Sequence, residues 1–206
     1  MINPNHPPAG AATLGIVVLA AGQSTRLAGT NKLLLPYPKE PLILCSIRTA
    51  LASDLGPVAV VLESATGRLA EAVRSFPVVL IKNPDASAGV STSIRRAAEW
   101  AFEENNALLL LLGDEPDVDP GVLQAMVGHW RVDQPAALRA RYRDRPGHPS
   151  LITKQFLSET DGLIGDRGLS YRFEVAREHD FFVDADAPID IDTEADYQAV
   201  LARITH

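Results

Sequence analysis

Gly15-Ile16-Val17-Val18-Leu19-Ala20-Ala21-Gly22 decides the reading of the fold. It is a continuous apolar run, rich in β-branched residues at its centre and stopped by Gly22. Such runs suit a strand buried on both faces, as in a parallel sheet. Working outward, residues 58–62, 78–81 and 107–112 are runs of the same kind. Between them, residues 42–52, 66–76 and 91–104 read as helices. Asp119-Pro120 reads as an N-cap followed by Pro at the first helical position, opening a helix that leads to Trp130. This alternation implies right-handed crossovers and an α/β fold, three-layer and doubly wound around a mostly parallel sheet. Further on, residues 136–142, 149–153 and 180–183 read as strands. Thr193-Glu194-Ala195-Asp196 reads as a capping box that opens a final helix to Ile204. Residues 1–13, with three Pro and no periodicity, read as a flexible tail. No repeat, low-complexity tract or linker divides residues 14–206, so one domain is expected there.

Composition bounds the function. The chain has 206 residues, 46% of them hydrophobic and 22% charged, which suits one globular domain with an ample core. Lys plus Arg number 19 against 26 Asp plus Glu, a net charge of -7. That balance disfavours nucleic acid or an anionic membrane as partner, because phosphate-coated surfaces call for excess Lys and Arg. It leaves room for a small phosphate-bearing ligand, which needs only two or three basic groups. The single Cys45 can form neither an internal disulfide nor a thiolate cluster. The longest apolar runs, 16–21 and 107–112, fall far short of a membrane span. No Lys or Arg precedes Arg26, so the basic region of a signal peptide is missing. A soluble, cytoplasmic protein is expected.

In an open parallel sheet, ligands bind beyond the C-terminal ends of the strands. After the first strand, Gly22 and its small neighbours let a ligand approach backbone N–H groups that can cradle phosphate oxygens. Arg26 and Lys32 then supply positive charge. The loop matches neither the Gly-Lys-Ser/Thr phosphate loop nor the G-x-G-x-x-G turn. On spacing alone, a tight turn with two solvated charges is an equal reading. After the fourth strand, Gly113-Asp114-Glu115-Pro116 places an acid at a strand tip, where it either holds Mg²⁺ or caps its own turn. Asp190 and Asp192 precede Thr193, and taken alone they read as charge compensation at a helix N-terminus.

Together these pieces carry a resemblance. Leu19-Ala20-Ala21-Gly22-x-Ser24-x-Arg26 followed by Lys32 resembles the signature loop of nucleotidyltransferases with a Rossmann-like, glycosyltransferase-A-like fold. Asn83-Pro84, Gly89, Ser91 and Ser93 resemble that family's second element. Gly113-Asp114-Glu115-Pro116 matches its Gly-Asp-Gln-Pro metal motif with one change. Gly147-His148-Pro149, Gly165-Asp166-Arg167-Gly168 and Asp190-Ile191-Asp192-Thr193 follow in the family's order. The whole set, from about Leu14 to the C-terminus, is most similar to the molybdenum cofactor cytidylyltransferases. The chain departs from the commonest pattern by one extra residue between Arg26 and Lys32, by Ala86 in place of an aromatic residue, and by Leu169-Ser170.

The resemblance implies a magnesium-dependent cytidylyltransferase. A terminal phosphate of a molybdopterin-type acceptor would attack the α-phosphorus of CTP, releasing pyrophosphate. No general base is required, because that phosphate is ionised at neutral pH. Arg26 and Lys32 are implied on the triphosphate, and Asp114 and Asp192 on Mg²⁺, with Asp190 as the alternative ligand. Leu19, Ala20, Ala21 and Gly22 would line the base, with Asn83, Gly89 and Ser93 completing the nucleotide site. His148, Asp166 and Arg141 are the acceptor candidates, and a recipient molybdenum hydroxylase is the implied protein partner. CTP is preferred to GTP because members using GTP tend to carry Ala-Gly-Gly where this chain has Ala-Ala-Gly. The alternatives are guanylyl or cytidylyl transfer to another phosphorylated acceptor, and a non-catalytic carrier of the cofactor. A carrier needs no metal carboxylate.

Three features keep plainer readings. His148 lies in a turn, where a structural or acceptor-contacting role outweighs acid–base catalysis. Arg139, Arg141 and Arg143 alternate, so on a strand they share a face, either receiving an anionic phosphate or forming a solvated edge. Cys45 falls in a helical apolar pattern and reads as a small core residue.

Overall fold

The computed structural model describes residues 13–22, 26–27, 30–158, 169, 173 and 179–204, with backbone alone at 26, 27, 30 and 204. Apart from Thr13, the expected tail lies outside the described residues, as do Asp166 and its glycine-flanked stretch. The strands are β1 (Leu14–Leu19), β2 (Arg26–Leu27), β3 (Thr30–Asn31), β4 (Val58–Leu62), β5 (Val79–Lys82), β6 (Ala107–Leu112), β7 (Ala137–Arg141), β8 (Pro146–Thr153) and β9 (Asp180–Phe182). The helices are α1 (Ile43–Ala52), α2 (Arg68–Val73), α3 (Val90–Ala101), α4 (Pro120–Asp133), α5 (Lys154–Ser158) and α6 (Glu194–Ile204).

Seven strands form one sheet in the order β5-β4-β1-β6-β8-β7-β9, and β2 and β3 form a separate hairpin. β1 lies inside the sheet, parallel to both β4 and β6. β8 is the one reversed strand of the seven, antiparallel to β6 and β7, while β9 adds to β7 in parallel. The expected mostly parallel sheet is what the chain forms.

The period of the strands sorts their side chains into two cores. Leu14, Ile16 and Val18 face one way, onto Ile43 and Ile47 of α1 and Leu123, Met126 and Val127 of α4. Val17 and Leu19 face the other way, onto Ile94, Ala97 and Ala101 of α3 and Phe156 of α5. Both sides of β1 are therefore dry, which is why its sequence shows no polar alternation. Each such Val, Leu or Ile contributes roughly 1.5–3 kcal/mol by leaving water. A third, smaller cluster seats α6 through Tyr197 and Val200 against Tyr37 and Leu42.

Two expectations change. The run at 78–81 becomes the edge strand β5, with Val79 46% exposed, because no strand among the described residues pairs beyond it. Arg139, Arg141 and Arg143 do not make one patch. Arg139 is buried, pairs with Asp180 at 2.7 Å and lies over the Phe173 ring, whereas Arg143 is exposed and pairs with Asp184. β9 covers β7, so the strand carrying Arg139 is not an edge, and a register shift after Arg139 breaks the alternation.

Both expected caps form. Asp119 Oδ1 accepts from the Gly121 N–H at 2.7 Å, and Thr193 and Asp196 bond reciprocally at the start of α6.

Candidate active site

The C-terminal ends of β1 and β6 and the N-terminal turn of α3 border a cavity of about 330 Å³. Leu19, Ala20, Gly22, Lys32, Gly89, Ser93 and Asp114 all line it, although they come from four separate stretches of chain. Gly89 enters α3 at φ +109°, a left-handed conformation that only glycine adopts without strain. A methyl group added at Gly22 would meet no protein atom within 4 Å, so packing does not explain this glycine. Its open side faces the cavity.

Asn83 does not line the cavity; it builds it. The residue is fully buried, and its Nδ2 donates to Thr92 Oγ1 and Ser93 Oγ, each at 2.9 Å. Its Oδ1 accepts from the Asp85 N–H. The amide thus fixes where α3 starts and where the Ser93 hydroxyl sits. Ala21 is also absent from the wall, because its side chain belongs to the core beside Ile94.

At the mouth of the cavity, Lys32 Nζ lies 2.6 Å from Asp114 Oδ2 and 2.7 Å from Asp192 Oδ1. The hairpin of β2 and β3 leads into a 3-10 turn at Lys32–Leu34, capped by Asn31 Oδ1 accepting from the Leu33 N–H. The extra residue between Arg26 and Lys32 is therefore compatible with Lys32 reaching this site. Burial alone would lower the Lys32 ammonium, but Asp114 and then Asp192 outweigh it and hold it above its usual value. The Arg26 side chain is outside the described residues.

Asp190 goes elsewhere. Its Oδ2 lies 3.3 Å from Arg145 Nη1, and its carboxyl shares a hydrogen bond with Glu115. Burial, with Glu115 alongside, pushes its carboxyl up to about 7, against the pull of Arg145 and His148. Asp190 helps line a second cavity of about 360 Å³, together with Glu115, His148, Arg145 and Phe173. This cavity shares Leu19, Val90 and Leu112 with the first, so the two meet along one seam. His148 Nδ1 is 3.6 Å from Glu115 Oε1, and the Tyr142 hydroxyl donates to the His148 carbonyl at 2.7 Å. Burial opposes protonation of His148, but Glu115, Asp190 and Asp114 together raise its pKa. Arg141 lines neither cavity.

Sequence reasoning assigned no role to Leu33, Ser87, Glu115 or Arg145. Glu115 had a signal, because it stands inside the quoted acidic motif. The others had none beyond residue type, since their place depends on how distant segments pack.

A divalent cation fits the first cavity. Among the described residues, no cluster of three or more His, Cys, Asp or Glu forms a metal cage. Asp114 and Asp192 nevertheless converge on one cationic atom, Lys32 Nζ, and present hard oxygen donors to it. Two carboxylates completed by substrate phosphates are a common Mg²⁺ arrangement.

The sequence pattern of the MobA-like NTP transferase domain matches residues 16–180. The bifunctional protein GlmU of Leifsonia xyli is 34% identical over 127 residues, 60% of this chain but only 26% of its own length. The nicotine blue oxidoreductase of Paenarthrobacter nicotinovorans is 28% identical over 148 residues, 66% of this chain and 69% of that protein. Among solved structures, Rv0371c of Mycobacterium tuberculosis superposes with a TM-score of 0.75 at 30% identity, covering 93% of this chain and 98% of that one. The same mycobacterial protein has been crystallised with manganese, and there the TM-score is 0.70 at 28% identity, over 91% of this chain and 97% of that one. No helix among the described residues is long and apolar enough to cross a membrane. A strand-end cavity with a lysine held between two acids, in a sequence that carries the family pattern from its first strand to its last, makes this chain a nucleotidyltransferase of the MobA-like NTP transferase family.

Proposed function

We propose that the protein transfers CMP from CTP to the terminal phosphate of a molybdopterin-type acceptor. The observation that carries the reading is the pair of joined cavities, one with Lys32, Asp114 and Asp192 at its mouth and one alongside it. One holds a nucleotide and the other its acceptor, and the shared seam is where they meet. In the transfer, an acceptor phosphate oxygen bonds to the α-phosphorus of CTP while the bond to the β-phosphate oxygen breaks. Pyrophosphate leaves with the electron pair, and no proton need move.

The chain's own residues position and neutralise. Lys32 and Arg26 bind the triphosphate, Ser93 and the backbone around Gly22 and Gly89 contact the nucleotide, and the α3 N-terminus favours negative charge nearby. Asp114 and Asp192 would hold Mg²⁺. When bound, the ion offsets charge on the phosphates. Lys32, beside the two carboxylates, would bind the phosphates that lie next to it. Ala20, rather than Ala21, is the methyl that narrows the base slot.

The domain extends over residues 14–206 in this reading, the site lies in the cytoplasm, and a molybdenum hydroxylase receives the product. The test is pyrophosphate release from CTP, GTP and ATP, with and without molybdopterin. Release that needs both CTP and molybdopterin is expected. Preference for GTP would sink the cytidylyl assignment, and CTP use with a different phosphorylated acceptor would sink the molybdopterin one.

A further inference from the structure

The two acids of the first cavity are brought together by more than the lysine between them. The Ile191 N–H donates to the Asp114 carbonyl at 3.4 Å, and Ile191 itself is fully buried among Tyr37, Leu42, Tyr197 and Val200. Asp192 therefore follows directly on a backbone contact with Asp114. The Asp192 and Thr193 N–H groups both donate to Asp196 Oδ2, which ties the same stretch to the start of α6. Two carboxylates held this close repel each other unless a positive charge lies between them.

Lys32 supplies that charge at a single point. Its Nζ touches Asp114 Oδ2 and Asp192 Oδ1 together, and its side chain is only 9% exposed. The Asp192 side chain is 68% exposed, so an ion arriving from solvent can reach the pair. What it meets there is the ammonium. The same two oxygens are the hard donors a divalent cation would use. An ion that bridges them needs the point the ammonium fills, so the two cations compete. The Lys32 backbone is pinned by the Asn31 cap and by buried Leu33, but its side chain also lines the cavity. An anion seated in that cavity offers the ammonium another partner.

We propose that Lys32 stands in for the metal: it occupies the divalent-cation position between Asp114 and Asp192 and opposes metal binding until a phosphate-bearing ligand draws the ammonium aside. That this ligand is a nucleotide rests on the transfer reading above, whereas the exclusion of the ion rests on the geometry of the three side chains. Ligand and metal then bind cooperatively, because whichever binds first removes a cost from the second. A divalent ion is kept off the carboxylates unless phosphates are there for it to neutralise.

Mn²⁺ alone is the probe, titrated into the full chain without nucleotide and followed by the loss of the paramagnetic resonance signal of the free ion. Asp114→Asn, titrated in parallel, defines which binding belongs to this site, since a chain of net charge -7 offers Mn²⁺ other carboxylates. Lys32→Met removes the charge at similar length and should bind Mn²⁺ at the Asp114-dependent site at least about tenfold more tightly than wild type. Lys32→Gln is read in the same way if thermal melting shows that Lys32→Met does not fold. Arg143→Met removes an exposed charge outside the site and should leave the affinity unchanged. Equal Mn²⁺ affinity in wild type and the Lys32 variant would overturn the proposal. So would equal tightening in Arg143→Met, the mark of net charge alone. Turnover of CTP, GTP and ATP is measured separately. Tighter Mn²⁺ binding in the Lys32 variant of a chain that turns over no nucleotide would leave the proposal standing and sink the transfer reading. Turnover with unchanged Mn²⁺ affinity would do the reverse.

Discussion

A single ammonium group organises the first cavity. Lys32 is held by two carboxylates at 2.6 and 2.7 Å, so each partner has a different consequence when removed. Lys32→Ala leaves Asp114 and Asp192 facing each other without the positive charge and takes one electrostatic donor from the phosphates. The kcat/KM for nucleotidyl transfer should fall by about two to three orders of magnitude, the usual cost of one such group. Near wild-type kinetics would take Lys32 out of the reaction. Asp114→Asn should abolish turnover that depends on added Mg²⁺ or Mn²⁺ while the melting temperature stays close to wild type, because the residue lies at a strand tip rather than in the core. Activity recovered at saturating metal would refute its role as ligand. Cys45 gives a prediction of a different kind. Burial, helped by Glu40 and Asp117, pushes its thiol up to about 11, whereas a solvated cysteine ionises near 8.5. The reactive thiolate is therefore scarce in the folded chain at pH 8. Iodoacetamide should modify the folded protein at least about tenfold more slowly than the urea-unfolded chain, with the gap narrowing as pH rises toward 11. Equal rates would show the thiol to be solvated.

The elements are held in place by close contacts that glycine substitutions can probe. At Gly56, just before β4, an added methyl would collide with the Leu14 carbonyl of β1. At Gly128, inside α4, it would meet nothing within 4 Å. The same change, Gly→Ala, should therefore have opposite signs. Gly128→Ala is expected to stabilise by roughly 0.5–1 kcal/mol, because alanine loses less backbone entropy in a helix. Gly56→Ala should destabilise by more than about 1 kcal/mol, since two backbones must separate where β1 and β4 begin to pair. Urea unfolding of both variants is the measurement, and a destabilised Gly128→Ala would contradict the open space seen at that site. At this scale much was legible in the sequence. The dry runs of β1, β4 and β6, the Asp119-Pro120 start of α4 and the Thr193 box of α6 are local signals, and the chain obeys them. β5 carried the same apolar signal, but whether a strand is central or at an edge is decided by its neighbours, and among the described residues β5 has only one.

Across the whole molecule, the site is assembled from residues far apart in the chain. Lys32 and Asp192 are 160 positions apart and meet where α6 docks its Tyr197 and Val200 on the segment that leads from Lys32 into α1. A ligand that bridges such segments should stabilise the fold as a unit. At about a hundred times its dissociation constant, CTP with Mg²⁺ should add roughly 2.7 kcal/mol and raise the melting temperature, while Asp114→Asn should lose most of the increase brought by the metal. No rise with any nucleotide would count against a nucleotide site. The sequence by itself determined the layered α/β fold, the strands, the caps and the chemical types gathered at the strand ends, because periodicity, β-branching and capping act over a few residues. It also supplied Leu19, Ala20, Gly22, Lys32, Gly89, Ser93 and Asp114 as one set, which the tertiary structure brings to one cavity. Only that structure decided that Ala20 faces the cavity and Ala21 the core, since both are small and apolar and a local pattern cannot tell the two faces apart. It alone separated Asp192, drawn to Lys32, from Asp190, drawn to Arg145 beside Glu115. The direction of a charged side chain is set by the partner that neutralises it, and here those partners lie tens to more than a hundred residues away.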